Sequence, residues 1–265
     1  MAAAIAAIAG YRNAIALPLV RRLDLEVPGY PAAAPPMRIV LFSDVHVHGP
    51  DMPPERVARV VDQINALSPD IVIAAGDFIG DNWVGKSYSV DQAIAPLGRL
   101  KARLGVYAVL GNNDYSAGAS DITSALERAG VHVLADDAVR LGPIALGGRD
   151  GRLYHERPAW NAARLKAYEA LRRTPGLKVL AVHRPDEFAF VPSSTTLVLA
   201  GHTHCGQIVL PMVGALATGS DFGEKYLCGV VRDGSKTLVV SSGVGTSYVP
   251  LRFGAPPDIW LITLR

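Results

Sequence analysis

The sequence predicts an α/β protein with helices outside and sheets inside. Three observations lead there. Apolar runs of strand length, Ile39–Phe42, Ile71–Ala75, Val106–Leu110, Val179–Val182 and Leu197–Ala200, show no alternation, as expected for strands covered on both faces. Between them lie segments with apolar residues at the helical period, clearest at Val57, Val60, Val61, Ile64 and Leu67. Strand and helix alternate through the first two-thirds of the chain and the last third is mostly strand, which points to layered packing around one core.

Taken in order, Met1–Gly10 is nearly all Ala and Ile, but Arg12 and Asn13 interrupt it short of the roughly 20 residues a membrane span needs. It has no leading basic segment and is a poor signal peptide. A plain helix or a disordered start is expected there, with a membrane-surface contact or the remnant of an anchor as alternatives. Leu23, Leu25 and Val27 alternate, so Leu17–Val27 is expected as an outer strand, and the Pro- and Ala-rich Pro28–Pro36 as a linker. The expected domains are therefore an N-terminal extension over 1–36 and a main domain over 37–265. Pro53 and Pro54 open the helix with the Val57–Leu67 face.

Asp91–Leu100 reads as a helix. Ser120 is placed as the cap of a helix whose inner face is Ile122, Ala125, Leu126 and Ala129, ended by Gly130. Val131–Leu134 and Ile144–Leu146 are short strands, and Pro158–Arg173 is helical. Leu227–Val231, Leu238–Val240 and Ile259–Thr263 are strand-like runs near the end.

Hydrophobic residues make up 49% of the 265 positions and charged residues 19%, a globular composition. The 26 basic and 24 acidic residues nearly cancel, so no nucleic-acid partner is indicated. Two cysteines, Cys205 and Cys228, make no disulfide framework and fit a reducing compartment.

The buried strands share a property: each ends in a residue that can bind metal. Ile39–Phe42 leads into Asp44 and His46, Ile71–Ala75 into Asp77, Val106–Leu110 into Asn112, Asn113 and Asp114, Val179–Val182 into His183, and Leu197–Ala200 into His202 and His204. Sites in α/β sheets form outside the carboxyl ends of the strands. A lone Asp after a strand is ordinarily a turn residue, so it is the set that carries the inference. His132 and His155 lie elsewhere and read as ordinary surface or partly buried residues. Carboxylate with imidazole suits Mn, Fe or Zn. Seven of these residues, Asp44, His46, Asp77, Asn112, His183, His202 and His204, exceed the ligands of one tetrahedral ion and suit two divalent ions, Mn favoured, about 4 Å apart as in phosphatases and nucleases.

The segments Asp44-Val45-His46, Gly76-Asp77, Gly111-Asn112-Asn113-Asp114, His183 and Gly201-His202-Thr203-His204, in this order, resemble the calcineurin-like metallophosphoesterase family. The tail Ser242–Ser247, Arg252–Pro257 and Gly206-Gln207-Ile208 with Leu210-Pro211 are similar to its bacterial, often membrane-associated phosphodiesterase branch. Some relatives in the wider family are UDP-2,3-diacylglucosamine pyrophosphatases. The resemblance implies a four-layer α/β/β/α sandwich of two mixed sheets flanked by helices. It implies a metal held by Asp44, His46 and His204, a second held by Asn112, His183 and His202, and Asp77 bridging. It also implies hydrolysis of a phosphodiester or pyrophosphate bond by a metal-bridging hydroxide.

Two departures stand out. Where the family usually has a leaving-group acid, Asn113 has an amide that only donates a hydrogen bond. This suits a substrate with a good leaving group. His48 is a candidate substitute acid or substrate-binding residue, against the plainer reading of a loop histidine. The family's orienting Asp three residues after the bridging one is replaced by Gly80, with Asp81 one later, which puts that role in doubt. Asp114 is expected to orient Asn113 or a ligand from outside the ligand sphere. Cys205 points away from His204 in extended chain and reads as structural.

From Gln207 to Gly219 no residue is charged. That stretch reads as a buried strand and turn, or as an apolar lip for an acyl chain or membrane surface. The expected partner is a phosphorylated small molecule or lipid-linked substrate, with a peripheral membrane contact. The expected location is cytoplasmic or peripheral to the inner membrane. The alternatives are a phosphodiesterase for a soluble substrate such as a cyclic nucleotide, and a non-catalytic metal-binding scaffold.

Overall fold

A computed structural model describes residues 1–149, 151 and 157–265. The chain runs α1 (Ala2–Ile15), β1 (Leu19–Leu25), β2 (Met37–Phe42), α2 (Pro54–Ala66), β3 (Ile71–Ala75), α3 (Val90–Ile94), β4 (Val106–Val109), α4 (Asn112–Arg128), β5 (Val131–Val133), β6 (Asp137–Leu141) and β7 (Ile144–Gly148). It continues with α5 (Arg157–Arg173), β8 (Leu177–Ala181), β9 (Thr195–Ala200), β10 (Val209–Leu210), β11 (Gly214–Ala215), β12 (Gly229–Asp233), β13 (Lys236–Val240) and β14 (Asp258–Leu264).

Two six-stranded mixed sheets form, in the orders β1-β14-β2-β3-β4-β5 and β12-β13-β9-β8-β7-β6. The pleat sends alternate side chains to opposite faces, and both faces are apolar. On β2 and β3, Ile39, Leu41, Ile71 and Ile73 meet Val179, Leu197, Leu199 and Val239 of the second sheet. Their neighbours Val40, Phe42, Val72 and Ala74 pack under Val57, Val60 and Ile64 of α2 and Ile122 and Leu126 of α4. On the far side, Leu180, Val198 and Leu238 pack with Leu171 of α5. The layers are helix, sheet, sheet, helix, as expected. This explains why the strands read as unbroken apolar runs: neither face of either sheet is free.

The outer strand expected over Leu17–Val27 is β1, which pairs in parallel with β14 over Leu19–Leu25 at the edge of the first sheet. Several other elements differ from expectation. The helix expected from Ser120 begins at Asn112 and bends at Gly118, whose φ is 117°. Asp114 sits at its third position and accepts from the Gly111 N–H at 2.9 Å, so the Asn-Asn-Asp run that looked like loop is a capped first turn. The helix expected over Asp91–Leu100 splits. Ser89 and Gln92 cap a short α3 reciprocally, and Ala95–Arg99 continues as a 3-10 turn. Strands β6, β10 and β11 carry too little apolar pattern to have been read. No described helix is long and apolar enough to cross a membrane. α1 packs Gly10 against the Phe253 ring and leaves Ile5 and Ile8 exposed. His132 is exposed and stacks on Tyr107, while His155 lies outside the described residues.

Candidate metal centre

The carboxyl ends of β2, β3 and β4 in one sheet meet those of β8 and β9 in the other, and the chemistry collects there. Two triads form whose donor atoms lie within 4.8 Å of one another: Asp44, His46 and His204, and Asp77, His183 and His202. In the first, His46 Nε2 and His204 Nε2 stand 3.1 Å apart. In the second, His183 Nε2 is 3.1 Å from His202 Nδ1 and 3.1 Å from Asn112 Oδ1. Asp77 stands between them, its Oδ2 3.5 Å from His46 Nε2 and 3.3 Å from His183 Nε2. Its Oδ1 accepts from the Asn113 backbone N–H at 2.9 Å.

Local backbone geometry aims these side chains. Asp44, His46, Asp77, His202 and His204 all have positive φ, between 46° and 73°. Left-handed backbone costs a non-glycine residue on the order of 1–3 kcal/mol and persists only where the surroundings enforce it. Here the turns follow buried strands, so each residue leaves its sheet abruptly and turns inward. Neighbouring glycines make room. A Cβ on Gly111 would lie 2.1 Å from Asp77 Oδ1, and one on Gly201 would lie 2.3 Å from Asp44 Oδ2.

The donor set fits cations. His183 Nδ1 donates to the Ala75 carbonyl at 2.7 Å, which fixes the tautomer of the neutral ring and leaves Nε2 as its lone-pair atom whenever a cation takes the place of the second proton. That lone pair faces an amide oxygen, a second imidazole nitrogen and a carboxylate oxygen. Three acceptors crowded at hydrogen-bond distance are relieved by a positive ion at their centre.

The electrostatics follow from burial. Burial pushes the carboxyls of Asp44 and Asp114 up, Asp114 to about 7 with the charge of Asp77 adding to the effect. Burial alone would raise Asp77 too, but His183 and His46 beside it hold it below the ordinary carboxylate range. Burial lowers His183, yet the charge and hydrogen bond of Asp77, the charge of Asp44 and the Ala75 carbonyl together bring the imidazole up to about 9. His202 and His204 are driven well below the usual histidine range by burial and by the neighbouring His183 and His46 respectively.

Supporting residues fill the shell outside the triads. Asp114 is fully buried and accepts from the backbone N–H groups of Asp77, Phe78 and Gly111. Asp81 Oδ1 lies 3.6 Å from His46 Nδ1, so the one-residue offset from Gly80 still delivers a carboxylate to the back of that histidine. Asn113 lies with its Nδ2 3.4 Å from His46 Nδ1 and lines the adjoining cavity. His48 is not brought to that cavity. It is buried, with Nδ1 2.5 Å from the Gly49 carbonyl and Nε2 3.3 Å from Ser87 Oγ, so both ring nitrogens are engaged in its own loop.

Two features escaped the sequence. Arg252 is fully buried, donates to the carbonyls of Gly245, Ala255 and Ser242, and places Nη2 3.2 Å from His204 Nδ1. An arginine in a Gly- and Pro-rich tail gives no sign that carbonyls will surround it. Cys205 and Cys228 form a disulfide. A disulfide suits an oxidising compartment, the reverse of what a count of two suggested. The pairing was not legible because the cysteines are 23 positions apart and meet only where the chain between them folds back as a hairpin and a turn.

Residues 37–206 match the sequence profile of calcineurin-like phosphoesterases. The chain is 30% identical over 276 residues to a transmembrane protein with metallophosphoesterase domain from Danio rerio, covering 99% of this chain and 61% of that protein. It is 31% identical to an uncharacterized metallophosphoesterase of Helicobacter pylori, over 86% of this chain and 60% of that one. It is also 31% identical to one of Bacillus subtilis, over 86% and 79%. The chain thus spans about three-fifths of the length of the first two relatives. With the profile covering well over half of its residues and every motif at the rim of one centre, the chain belongs to the calcineurin-like phosphoesterase family.

Proposed function

We propose that the chain is a two-metal-dependent hydrolase of phosphodiester or pyrophosphate bonds acting on a lipid-linked or nucleotide-linked substrate. One observation carries the reading: a single oxygen of Asp77 faces both triads, 3.5 Å from His46 and 3.3 Å from His183. Asp44, His46 and His204 would hold one ion and Asn112, His183 and His202 the other, with Asp77 placed between the two groups. When bound, two divalent ions supply Lewis-acid chemistry, acidifying water and offsetting charge on phosphoryl oxygens. The mixture of carboxylate, amide oxygen and imidazole suits Mn, Fe or Zn, and Mn is the first to test.

The chain's own residues orient and select. Asp81 and the Ala75 carbonyl hold His46 and His183 in line, and Asp114 holds the turns that present Asp77. Asn113 offers the substrate an N–H and no proton, which favours a leaving group that departs unassisted, such as a phosphate or phenolate. Residues 37–265 form the hydrolase unit in this reading, and residues 1–36 extend it by adding β1 to the sheet edge. A peripheral membrane setting belongs to the same proposal. It is supported by exposed Ile5 and Ile8 on α1 and by Met212 and Val213 beside the centre. An Ile5→Ser, Ile8→Ser double variant that co-sediments with vesicles as well as the parent removes α1 from it.

The direct test is hydrolysis of bis(p-nitrophenyl) phosphate by chelator-stripped protein, with and without Mn²⁺, beside Asp77→Ala. Turnover that requires both metal and Asp77 is expected. Absence of turnover in protein shown to hold metal overturns the hydrolase reading and leaves a metal-binding scaffold.

A further inference from the structure

Beside the centre lies a cavity of about 310 Å³. Asp77, Asn112, Asn113, His202 and His204 form one end of it. The rest of its wall includes Trp83, Ile208, Leu216, Ala217, Tyr248 and Val249. Trp83 and Tyr248 are joined as one unit, since the Trp83 N–H donates to the Tyr248 carbonyl at 2.9 Å and their ring centroids are 5.7 Å apart. Both stand at the mouth in the open, Trp83 76% and Tyr248 55% exposed. On the opposite lip Leu216 is 59% exposed. The apolar surface then continues outward through Leu210, Met212 and Val213 of the β10–β11 hairpin, all exposed.

Two polar side chains of the wall, Gln207 and Thr203, are already engaged within the protein. The Gln207 carboxamide donates to the carbonyls of Ser247 and Val249 and accepts from the Ser247 N–H. Thr203 Oγ1 donates to the Leu227 carbonyl and accepts from the Cys205 N–H. Ligand pockets set orientation with a few free polar groups and gain affinity from apolar lining. Here the free side-chain polar groups of the wall lie at the metal end and at the mouth, on Tyr248 and Trp83. Between them Ile208, Leu216, Ala217 and Val249 present only apolar side chains. Large apolar side chains left in contact with water gain by covering.

We propose that this cavity binds a hydrocarbon arm of the substrate, with Trp83, Ile208, Leu216 and Tyr248 as the residues that set specificity for it. The inference rests on the hydrolase reading for the position of the phosphoryl group, and it chooses between the two substrate classes left open there. The phosphoryl group sits at the triads. The chain attached to it lies between the Trp83–Tyr248 pair and the Ile208–Leu216 wall, and a long one runs out over the hairpin. A short chain covers the wall alone, so affinity grows with each carbon until the cavity is filled.

The test is isothermal titration of the full, Mn²⁺-loaded chain with methyl esters of alkylphosphonates, from methyl to decyl, beside a methyl nucleosidyl phosphonate. These ligands carry one negative charge and no cleavable phosphoester to an aryl group, so binding is read apart from turnover. Kd is expected to fall about fourfold for each of the first few added methylenes, the value for full burial of a CH₂ group. Trp83→Ala and Leu216→Ala are expected to flatten that slope, and both positions are exposed enough for the fold to tolerate the change. Leu165→Ala, an exposed site on α5, keeps the slope. A Kd that ignores chain length, no binding by any member, or tighter binding of the nucleosidyl ligand than of the alkyl series overturns the proposal. A retained slope with no hydrolysis of bis(p-nitrophenyl) phosphate leaves it standing and overturns the hydrolase reading alone.

Discussion

Asp114 holds in place the turn that presents Asp77: its Oδ2 accepts from the Asp77 backbone N–H at 2.9 Å and from the Gly111 N–H at 2.9 Å. Its Oδ1 accepts from Phe78 at 2.8 Å. One carboxylate therefore ties the end of β3 to the start of α4, and the bridging position depends on it. Asp114→Asn swaps an acceptor for a donor that faces N–H groups. Hydrogen bonds to a charged group contribute roughly 1.5–3 kcal/mol each, and a buried donor left unpaired costs a similar amount. The variant is expected to unfold at lower urea concentration and to bind Mn²⁺ about 10–100-fold more weakly, the usual cost of losing a group that orients ligands. Calorimetric titration giving the parent's affinity at both sites would refute the role.

Asp81 contacts His46 from behind, 3.6 Å from Nδ1, and Ser247 Oγ donates to it. Asp81→Ala is expected to weaken the ion held by Asp44, His46 and His204 by about 10–100-fold, while the ion at His183 and His202 binds as before. Two unchanged binding steps would show the contact to be incidental. Two equally weakened steps would point to a general loosening.

The sequence made the strands and their endpoints legible for one reason. β2, β3, β4, β8 and β9 are covered on both faces, so each stands out as an apolar run, and the break in each run marks where the chain emerges at the site. Contacts between distant parts of the chain were not legible. The parallel pairing of β1 with β14 joins residues from opposite ends of the chain. The contact of Arg252 with His204 depends on a loop whose path only the fold sets. The start of α4 was misplaced because Asn, Asn and Asp favour turns in isolation; here the Asp at the third position caps the helix. The offset at Asp81 put its role in doubt when counted in residues; in space its carboxylate lies 3.6 Å from His46 Nδ1, a proximity that residue counting does not show.

The Cys205–Cys228 bond closes the loop that carries Ile208, Leu216 and Ala217 of the cavity wall. Cross-linking across 23 residues removes unfolded-state entropy on the order of 3 kcal/mol. The Cys205→Ser, Cys228→Ser double variant, and the parent in excess dithiothreitol, are expected to lose about that much stability in urea unfolding. Equal stability with and without reductant would mean that the cysteines are unpaired in solution.

Asn113 is the position at which chemistry and sequence disagree most, and its geometry makes the disagreement testable. Its backbone N–H holds Asp77 Oδ1, its side-chain oxygen accepts from Asn112 Nδ2 at 2.8 Å, and the side chain lines the cavity beside the centre. The backbone contact survives any substitution, so Asn113→His changes the side chain without moving the bridging carboxylate. An imidazole supplies the proton that an amide lacks, and general acid catalysis contributes about 10²–10⁴-fold where the leaving oxygen is an alkoxide. A phenolate leaving group needs no such help. Asn113→His is therefore expected to raise kcat/KM for a dialkyl phosphodiester by about 10²-fold and to leave bis(p-nitrophenyl) phosphate nearly unchanged. If the ratio of alkyl to aryl rates stays the same, Asn113 does not limit the choice of leaving group. The preference for an unassisted leaving group would then have to be abandoned, while the two triads and the Asp77 bridge would stand as before.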